Sequence, residues 1–281
     1  MRAETTIDPP TTEQLPAGAY LHAFWGILYR ELLRFVHQRS RFFSALVRPL
    51  VWLAVFAAGF RAALGISIIA PYDTYITYEV YIAPGLCAMV LLFNAMQSSL
   101  SMVYDREMGS MRVLLMSPLP RGYLLLCKLI ASALVALPQV YAFLAIAWWF
   151  GVEPPPLGYL WVAPALLLVG LMLGGLGLFI SSFIRQLENF AGVMNFVIFP
   201  MFFLSSALYP LWKMQEAGTW LYALCRANPF TYAVELIRFS LYGQWQTEPA
   251  LAVAGGCLLF VLAAIVAFNP QRGFMRQRAG G

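Results

Sequence analysis

The side chains able to carry chemistry in this chain of 281 residues are few, and their placement excludes most kinds of active site. All 13 Asp and Glu residues fall in tails, loops or the ends of apolar segments, and the only histidines, His22 and His37, precede the first of those segments. Proton-driven carriers and many sodium-driven carriers need an ionisable or coordinating group at membrane depth, so this sequence disfavours a secondary carrier. No HExxH motif occurs, and the membrane serines lack an obvious base. We therefore predict no catalytic residue.

Metal and nucleotide sites are also absent from the sequence. The cysteines, 4 in all, stand singly, without the spacing of a metal site or a disulfide framework. No GxxxxGK[ST] motif is present, which excludes a phosphate-binding loop for ATP in this sequence. We expect no metal and no cofactor in this chain, and no nucleic-acid partner, because no basic tract of that type occurs. If the protein moves a molecule uphill, a partner must supply the energy.

One loop mixes charges of both signs with apolar side chains, and it is the best candidate for contacting such a partner. It spans residues 104–121 and reads YDREMGSMRVLLMSPLPR. A short helix along the inner membrane surface, stopped by the prolines, would present Glu107, Met111 and Arg112 to the cytoplasm. Composition alone also allows a solvated turn that only carries positive charge.

The elements that must position this loop are membrane helices. The chain is 61% hydrophobic and 11% charged, with a mean hydropathy of +0.71, which excludes a water-soluble globule. We predict an all-α membrane protein whose single transmembrane domain, 42–268, contains six spans: 43–60, 81–103, 123–150, 159–184, 190–209 and 250–268. An even number of spans places both termini on one side. With the termini inside, 14 of the 18 Lys and Arg residues are cytoplasmic, as the positive-inside rule requires.

An amphipathic helix is predicted before the first span, at 19–41. Its polar face carries Arg30, Arg34, His37 and Arg41, and another face carries aromatic and aliphatic side chains, among them Trp25. This pattern favours a helix that lies flat among anionic lipid headgroups, although a soluble helix packed on its own protein would show the same pattern. The flanking segments are predicted to be a disordered cytoplasmic tail, 1–18, and a basic cytoplasmic tail, 269–281.

Two polar features lie beyond the loop. The segment after the fifth span is too polar to cross a membrane, and Asn228 followed by Pro229 is typical of a helix start; we expect short outer helices, with breaks at Tyr209 and Pro210. Polar stripes also run along spans two and five, and they either line a substrate pathway or hold helices together by hydrogen bonds. The stripe residues are Asn94, Gln97, Ser98, Ser101, Asn195, Phe199, Phe202 and Ser205.

Three stretches of the sequence resemble the membrane subunit of ABC type-2 exporters, the family of polysaccharide, lipo-oligosaccharide and drug efflux permeases. They are DREMGSMR at 105–112 with the following LLMSP, FLSSALYP at 203–210, and NPFTYAVELIR at 228–238. The family often has Gly where Ser206 stands here and a Pro near Gln215, differences that affect local turns. The resemblance covers nearly the whole chain.

The resemblance implies two permease subunits side by side, above two ATPase subunits that carry ATP and Mg²⁺. We expect the two permease subunits to be identical. It implies that 105–118 is the coupling helix, that 19–41 is the connecting helix and that 210–243 forms outer re-entrant helices. The ATPase interface would then comprise Asp105, Arg106, Glu107, Met108, Gly109, Met111, Arg112 and Leu115.

The sequence thus predicts the permease subunit of an ATP-driven exporter in a bacterial inner membrane. A path of amide, hydroxyl and aromatic groups without charge would suit a glycan or an amphipathic, lipid-linked substrate. A drug efflux permease of the same family, or a membrane assembly scaffold that transports nothing, are the alternatives.

Overall fold

The computed structural model describes residues 16–37, 39–60, 70–72, 76–108, 119–184 and 186–267. The predicted tails therefore lie almost wholly outside the described residues. The α-helices of the described part are α1 (Ala17–His37), α2 (Arg39–Phe60), α3 (Tyr78–Glu107), α4 (Arg121–Ala147), α5 (Gly158–Phe183), α6 (Leu187–Phe203), α7 (Leu211–Ala217), α8 (Thr219–Ala227), α9 (Pro229–Leu241) and α10 (Thr247–Ala267). A turn of 3-10 helix, Trp148–Phe150, extends α4.

Three of the described helices begin directly after Pro120, Pro210 or the capping residue Asn228. Pro120 and Pro210 immediately precede α4 and α7, where a missing backbone N–H costs nothing. The side chain of Asn228 accepts a hydrogen bond from the backbone N–H of Phe230 at 3.0 Å, and Pro229 occupies the first position of α9. The predicted helix start at Asn228 and Pro229 is therefore observed.

The chain is a multi-pass helical protein, with spans that are unequal in length. In the described residues, four helical stretches are long and apolar enough to cross a membrane: Tyr78–Asp105, Arg121–Phe150, Gly158–Phe183 and Thr247–Ala267. The other two predicted spans correspond to α2 and α6, whose apolar stretches are shorter, at Ala45–Phe56 and Leu187–Phe203. In α2, Arg39 and Arg41 precede this stretch and Arg48 lies within it.

One predicted boundary is wrong. The predicted amphipathic helix, 19–41, corresponds to α1, which is described as far as His37, and Arg41 lies within the range of α2. The fifth apolar segment was expected to reach residue 209, but its helix ends at Phe203. Pro200 lies in the last turn of α6, and residues 204–210 are not helical.

The core is organised around α3, which is buried along most of its length and contacts α2, α4, α5, α6 and α9. Helix α9 is also mostly buried, between α3, α5 and α10, rather than lying on the protein surface. By contrast α10 packs mainly on α5 and exposes Leu251, Leu258 and Leu259. Because these exposed side chains are apolar, α10 presents a face suited to lipid.

Candidate functional site

A cluster of charged side chains joins α1, α3 and α4 at one end of the bundle. We call it the charge cluster; its members are Arg30, Glu31, Arg34, Asp105 and Lys128. Asp105, near the end of α3, accepts from Lys128 Nζ at 3.3 Å and lies 3.7 Å from Arg34 Nη2. Lys128 is 4% exposed on its side chain, so it needs a nearby negative charge to stay ionised. Asp105 therefore binds both the amphipathic helix and the start of α4.

The remaining members of the charge cluster lie on α1. Glu31 pairs with Arg30 at 3.2 Å and with Arg34 at 3.9 Å. The apolar side of α1 divides in two: Ile27 packs on α4, whereas Trp25 and Tyr29 are exposed. Arg34 and Glu31 thus face the protein rather than solvent, a placement that the helical period alone did not predict. Helix α1 therefore packs on its own protein and keeps an exposed apolar face, and its position among lipid headgroups stays a prediction.

The chain leaves the charge cluster directly into the loop with mixed charges. Asp105 is 15% exposed on its side chain, whereas Glu107 and Met108 are exposed at the end of α3. Of the other predicted interface residues, Arg106 lies in α3 with an undescribed side chain, and Gly109, Met111, Arg112 and Leu115 fall outside the described residues. The structure thus places an exposed helix end next to a buried ion pair that connects it to two neighbouring helices.

The residues predicted to line a pathway separate into two groups. Asn94 Nδ2 donates to Gln139 Oε1 at 2.7 Å, so Asn94 faces α4. Ser101 donates to the carbonyl of Ser98 at 2.7 Å, and Gln97 is half-buried on the same helix. On α6, Asn195 and Phe199 are exposed and Phe202 is buried; Ser205, in the non-helical segment after α6, is buried as well. Within one subunit the stripe of α3 therefore does not meet the exposed residues of α6.

Two polar residues of α4 complete the stripe on α3, and the sequence analysis missed both. Gln139 is 1% exposed, and Ser132 Oγ lies 3.5 Å from Asn94 Oδ1. Their positions seven residues apart place them on one face of α4, a spacing that the sequence contains. The hydrogen bond between Asn94 and Gln139 connects two membrane helices. This pair therefore stabilises the packing of the helices rather than lining a pore.

The second polar cluster holds the non-helical segment after α6, at the opposite end of the bundle. Asn228 Nδ2 donates to the carbonyls of Met201 at 2.8 Å and Leu204 at 2.6 Å. Arg238 Nη2 donates to the carbonyl of Ser206 at 2.8 Å, and the Tyr81 hydroxyl donates to the same oxygen at 3.0 Å.

The Tyr78 hydroxyl completes this set by donating to the carbonyl of Leu208 at 2.8 Å. We call these four donors, Tyr78, Tyr81, Asn228 and Arg238, the carbonyl cluster. Carbonyls at membrane depth without helical partners must be satisfied by other groups, and these side chains supply them. The helical break can therefore lie in the protein interior.

Close packing accompanies these hydrogen bonds. A Cβ on Gly85 of α3 would lie 2.7 Å from the carbonyl oxygen and 2.8 Å from the Cα of Ala207, so only glycine allows this approach. Arg238 is 4% exposed, and its guanidinium lies 4.2 Å from the centroid of the Tyr81 ring. Arg238 is one of the four Lys and Arg residues that the predicted topology places outside, whereas the structure buries it against α3.

The described parts of the three stretches that carry the family resemblance lie at these two clusters, and a comparison with known proteins decides the assignment. The profile of the ABC-2 type transporter family matches residues 22–242, more than three quarters of the chain. This chain belongs to the ABC-2 type transporter family. The predicted resemblance is thereby confirmed, and the protein is a membrane subunit of an ABC transporter.

This ABC-2 permease is similar in sequence to transport permeases and to a nodulation protein. A putative transport permease, ycf38, of Cyanophora paradoxa is 26% identical over 225 residues, which cover 78% of this chain and 74% of the relative. A probable multidrug ABC transporter permease, YbhR, of Escherichia coli K12 is 31% identical over 170 residues, covering 59% of this chain and 45% of the relative. Nodulation protein J of Rhizobium leguminosarum bv. viciae is 22% identical over 260 residues, covering 90% and 94%.

Family membership explains why the ABC-2 permease lacks a nucleotide site in its sequence. The homologous permeases are membrane subunits rather than ATPases, so membership implies an ATPase partner. The charge cluster stands at the start of the loop that the resemblance relates to the ATPase contact. The carbonyl cluster connects the other two stretches, 203–210 and 228–238, because Asn228 and Arg238 of one donate to carbonyls of the other.

Proposed function

We propose that this ABC-2 permease is the membrane subunit of an exporter that is driven by ATP hydrolysis on separate subunits. The observation that carries this proposal is the position of Asp105. It lies two residues before the exposed Glu107 and pairs with Lys128 of α4 and Arg34 of α1. A displacement of the loop by an ATPase would therefore act on three helices at once.

In this proposal the segment 105–118 is the coupling helix, and α1 is the connecting helix at the cytoplasmic membrane surface. The ATPase surface comprises the exposed Glu107 and Met108 together with Arg106, Gly109, Met111, Arg112 and Leu115. Asp105 would act from behind this surface, because its carboxylate is occupied by the ion pairs of the charge cluster. The exposed Trp25 and Tyr29 of α1 would lie among lipid headgroups, where aromatic side chains are favoured.

The working assembly in this proposal contains two copies of the chain and two ATPase subunits. Trp52 of α2 contacts the rings of Phe202 and Phe203 at the end of α6. Both helices also expose apolar side chains, including Val51 and Val55 of α2 and Phe196 of α6, which is 80% exposed. This face would meet the second permease, with Asn195 and Phe199 at the substrate path between the copies. Both termini would be cytoplasmic, in a bacterial inner membrane crossed six times.

An amphipathic, lipid-linked or glycan-type substrate fits the polar groups that the two helices offer. The stripe positions on α3 and α6 are amides, hydroxyls and aromatic rings without formal charge. The relative named as a nodulation protein and the relative named as a multidrug permease suggest two different substrate classes, so drug efflux is the second candidate. It is favoured by the higher identity, 31%, of the Escherichia coli relative over its aligned region.

The coupling proposal is tested by reversing charges in the loop. The double variant Glu107→Lys and Arg112→Glu should abolish substrate-stimulated ATP hydrolysis by the purified complex, while membrane insertion stays normal. The matched control is Lys213→Glu with Glu216→Lys, because these two residues of α7 are both exposed and carry opposite charges. We expect the control complex to hydrolyse ATP as the wild type does. Stimulated hydrolysis that persists with both loop charges reversed would place the ATPase contact elsewhere, and an ATPase that never copurifies would favour the scaffold.

A further inference from the structure

An apolar groove of about 370 Å³ lies at the end of the bundle opposite α1, between the start of α5, the end of α9 and the start of α10. The helices meet beside it, since Gly158 at the start of α5 packs directly on the carbonyl of Leu241 at the end of α9. The apolar lining includes Trp161, Ala165, Leu168, Leu236, Trp245 and Ala250, and polar groups enter only through Ser240 and Gln244 among side chains. The groove is therefore suited to a hydrocarbon chain rather than to a polar solute.

The mouth of the groove adjoins the surface that lipid covers. Trp161 and Trp245 are 61% and 74% exposed at its rim. Exposed tryptophans at the ends of membrane helices lie at the level of the lipid headgroups. The neighbouring face of α10 is apolar and exposed at Leu251 and Leu258, so the groove continues an apolar surface that faces the bilayer. An acyl chain can enter it from the membrane without crossing water.

A polar cleft of about 900 Å³ lies on the other side of the turn at 242–244 and shares Gln244 with the groove. Its walls include the aromatic residues Trp148, Tyr159 and Tyr242. Gln244 Nε2 donates to the carbonyl of Pro71 at 3.1 Å, which fixes the turn between the two cavities.

The charge of this cleft comes from a carboxylate. Glu153, an exposed residue, is the charged side chain among the described residues that line the cleft. Burial raises the pKa of Tyr72 and that of Tyr242 above the ordinary value of a phenol, so both stay neutral at physiological pH. A carboxylate among aromatic rings attracts a cation and repels an anion.

We propose that the groove and the cleft form one lipid site, with an acyl chain in the groove and an amine headgroup in the cleft. The amine, as in phosphatidylethanolamine, would lie near Glu153 and the rings of Trp148 and Tyr159. A headgroup that is anionic overall, as in phosphatidylglycerol, would bind less well because it offers no cation to Glu153. The residues that line the groove and the cleft do not belong to α2 or α6, so the site is separate from the proposed substrate path.

The experiment uses the full-length permease in vesicles of equal parts phosphatidylethanolamine and phosphatidylglycerol. One lipid at a time carries a photoreactive diazirine in its acyl chain, and the labelled peptides are identified by mass spectrometry. We expect label at 161–168 and 236–250, more from phosphatidylethanolamine than from phosphatidylglycerol. Ala165→Phe fills the groove and should lower this labelling about tenfold, because it excludes methylene groups from apolar contact.

Ala254→Phe is the matched control, since Ala254 is exposed on α10 outside the lining; its labelling should equal that of the wild type. Thermal unfolding verifies each variant, and Ala250→Phe fills the groove from α10 if Ala165→Phe does not fold. Glu153→Gln should remove the preference between the lipids while the acyl label remains. Equal labelling by both lipids in the wild type would overturn the headgroup assignment. Labelling that survives a filled groove, or that spreads evenly along α10, would overturn the acyl-chain site.

Discussion

At the end of the bundle that holds α1, a buried lysine is neutralised by a carboxylate, whereas at the opposite end a buried arginine donates to a backbone carbonyl. Lys128 and Asp105 are charged partners on different helices. Arg238 instead binds the carbonyl of Ser206, in a segment where helical hydrogen bonds are interrupted. The ion pair of Lys128 and Asp105 connects two helices through their side chains, whereas Arg238 stabilises an irregular stretch of backbone.

This difference predicts different costs when each cluster is disturbed. An ion pair that loses one partner leaves an uncompensated charge in the protein. A carbonyl that loses one of two donors, as at Ser206, keeps the other, which is Tyr81. The charge cluster should therefore be the more fragile of the two, even though fewer of its contacts involve the backbone.

The largest effect is expected for Asp105→Asn, which removes the carboxylate that contacts the buried Lys128 directly and leaves Glu31 as the other carboxylate of the charge cluster. Breaking a buried pair in this way costs about 3 to 5 kcal/mol of unfolding free energy. Adding Lys128→Met should restore most of the loss, because the unpaired charge is then removed as well. Thermal unfolding of the purified permease measures both variants, with Glu107→Gln as the exposed control. If Asp105→Asn unfolds like that control, the ion pair contributes nothing and the charge cluster does not join the helices.

The sequence predicted well those features that depend on local pattern. Four of the six predicted spans correspond to described helices that are long and apolar enough to cross a membrane, and the helix start predicted at Asn228 and Pro229 is observed. The resemblance, based on three short stretches, identified the family. Each of these signals is complete within some 20 neighbouring residues, so no knowledge of tertiary contacts was needed.

The features that the sequence did not predict depend on which helices face each other. The predicted topology places Lys128 among the cytoplasmic charges and Arg238 among the outside charges, but it does not show that each has partners more than 20 residues away along the chain. The end of α6 at Phe203 was missed for the same reason. An apolar run continues to residue 209, and only the donors from α3 and α9 allow its backbone to leave the helix.

A smaller effect is expected at the carbonyl cluster. Arg238→Met removes a hydrogen bond from a charged donor to the carbonyl of Ser206, and we expect a loss of about 2 kcal/mol in unfolding free energy. The flexible Met side chain keeps the apolar packing on α3, so the loss reports the hydrogen bond rather than a cavity. Tyr78→Phe, which removes one neutral hydrogen bond to Leu208, should cost about 1 kcal/mol and serves as the comparison. A loss for Arg238→Met as large as that for Asp105→Asn would show that the two clusters do not differ as argued.

The smallest effect on unfolding free energy is expected at the polar residues of the predicted pathway, Asn94 and Asn195. Asn94 is bound to Gln139 inside one subunit, whereas Asn195 is exposed on α6. Asn94→Leu should therefore cost about 0.6 to 2 kcal/mol of stability, the range for hydrogen bonds between membrane helices. Asn195→Leu, the matched change, should leave stability within about 0.5 kcal/mol of the wild type, since exposed positions tolerate substitution.

The same two variants also distinguish residues that hold helices together from residues that line the substrate path, when transport is measured together with thermal unfolding. Because Asn195 lies on the face proposed to meet the second copy, Asn195→Leu should lower transport without lowering stability. Asn94→Leu should lower transport only in proportion to its stability. If instead Asn94→Leu stops transport at wild-type stability, then the stripe of α3 lines the pathway despite its hydrogen bond to Gln139, and the helices must separate there during the transport cycle.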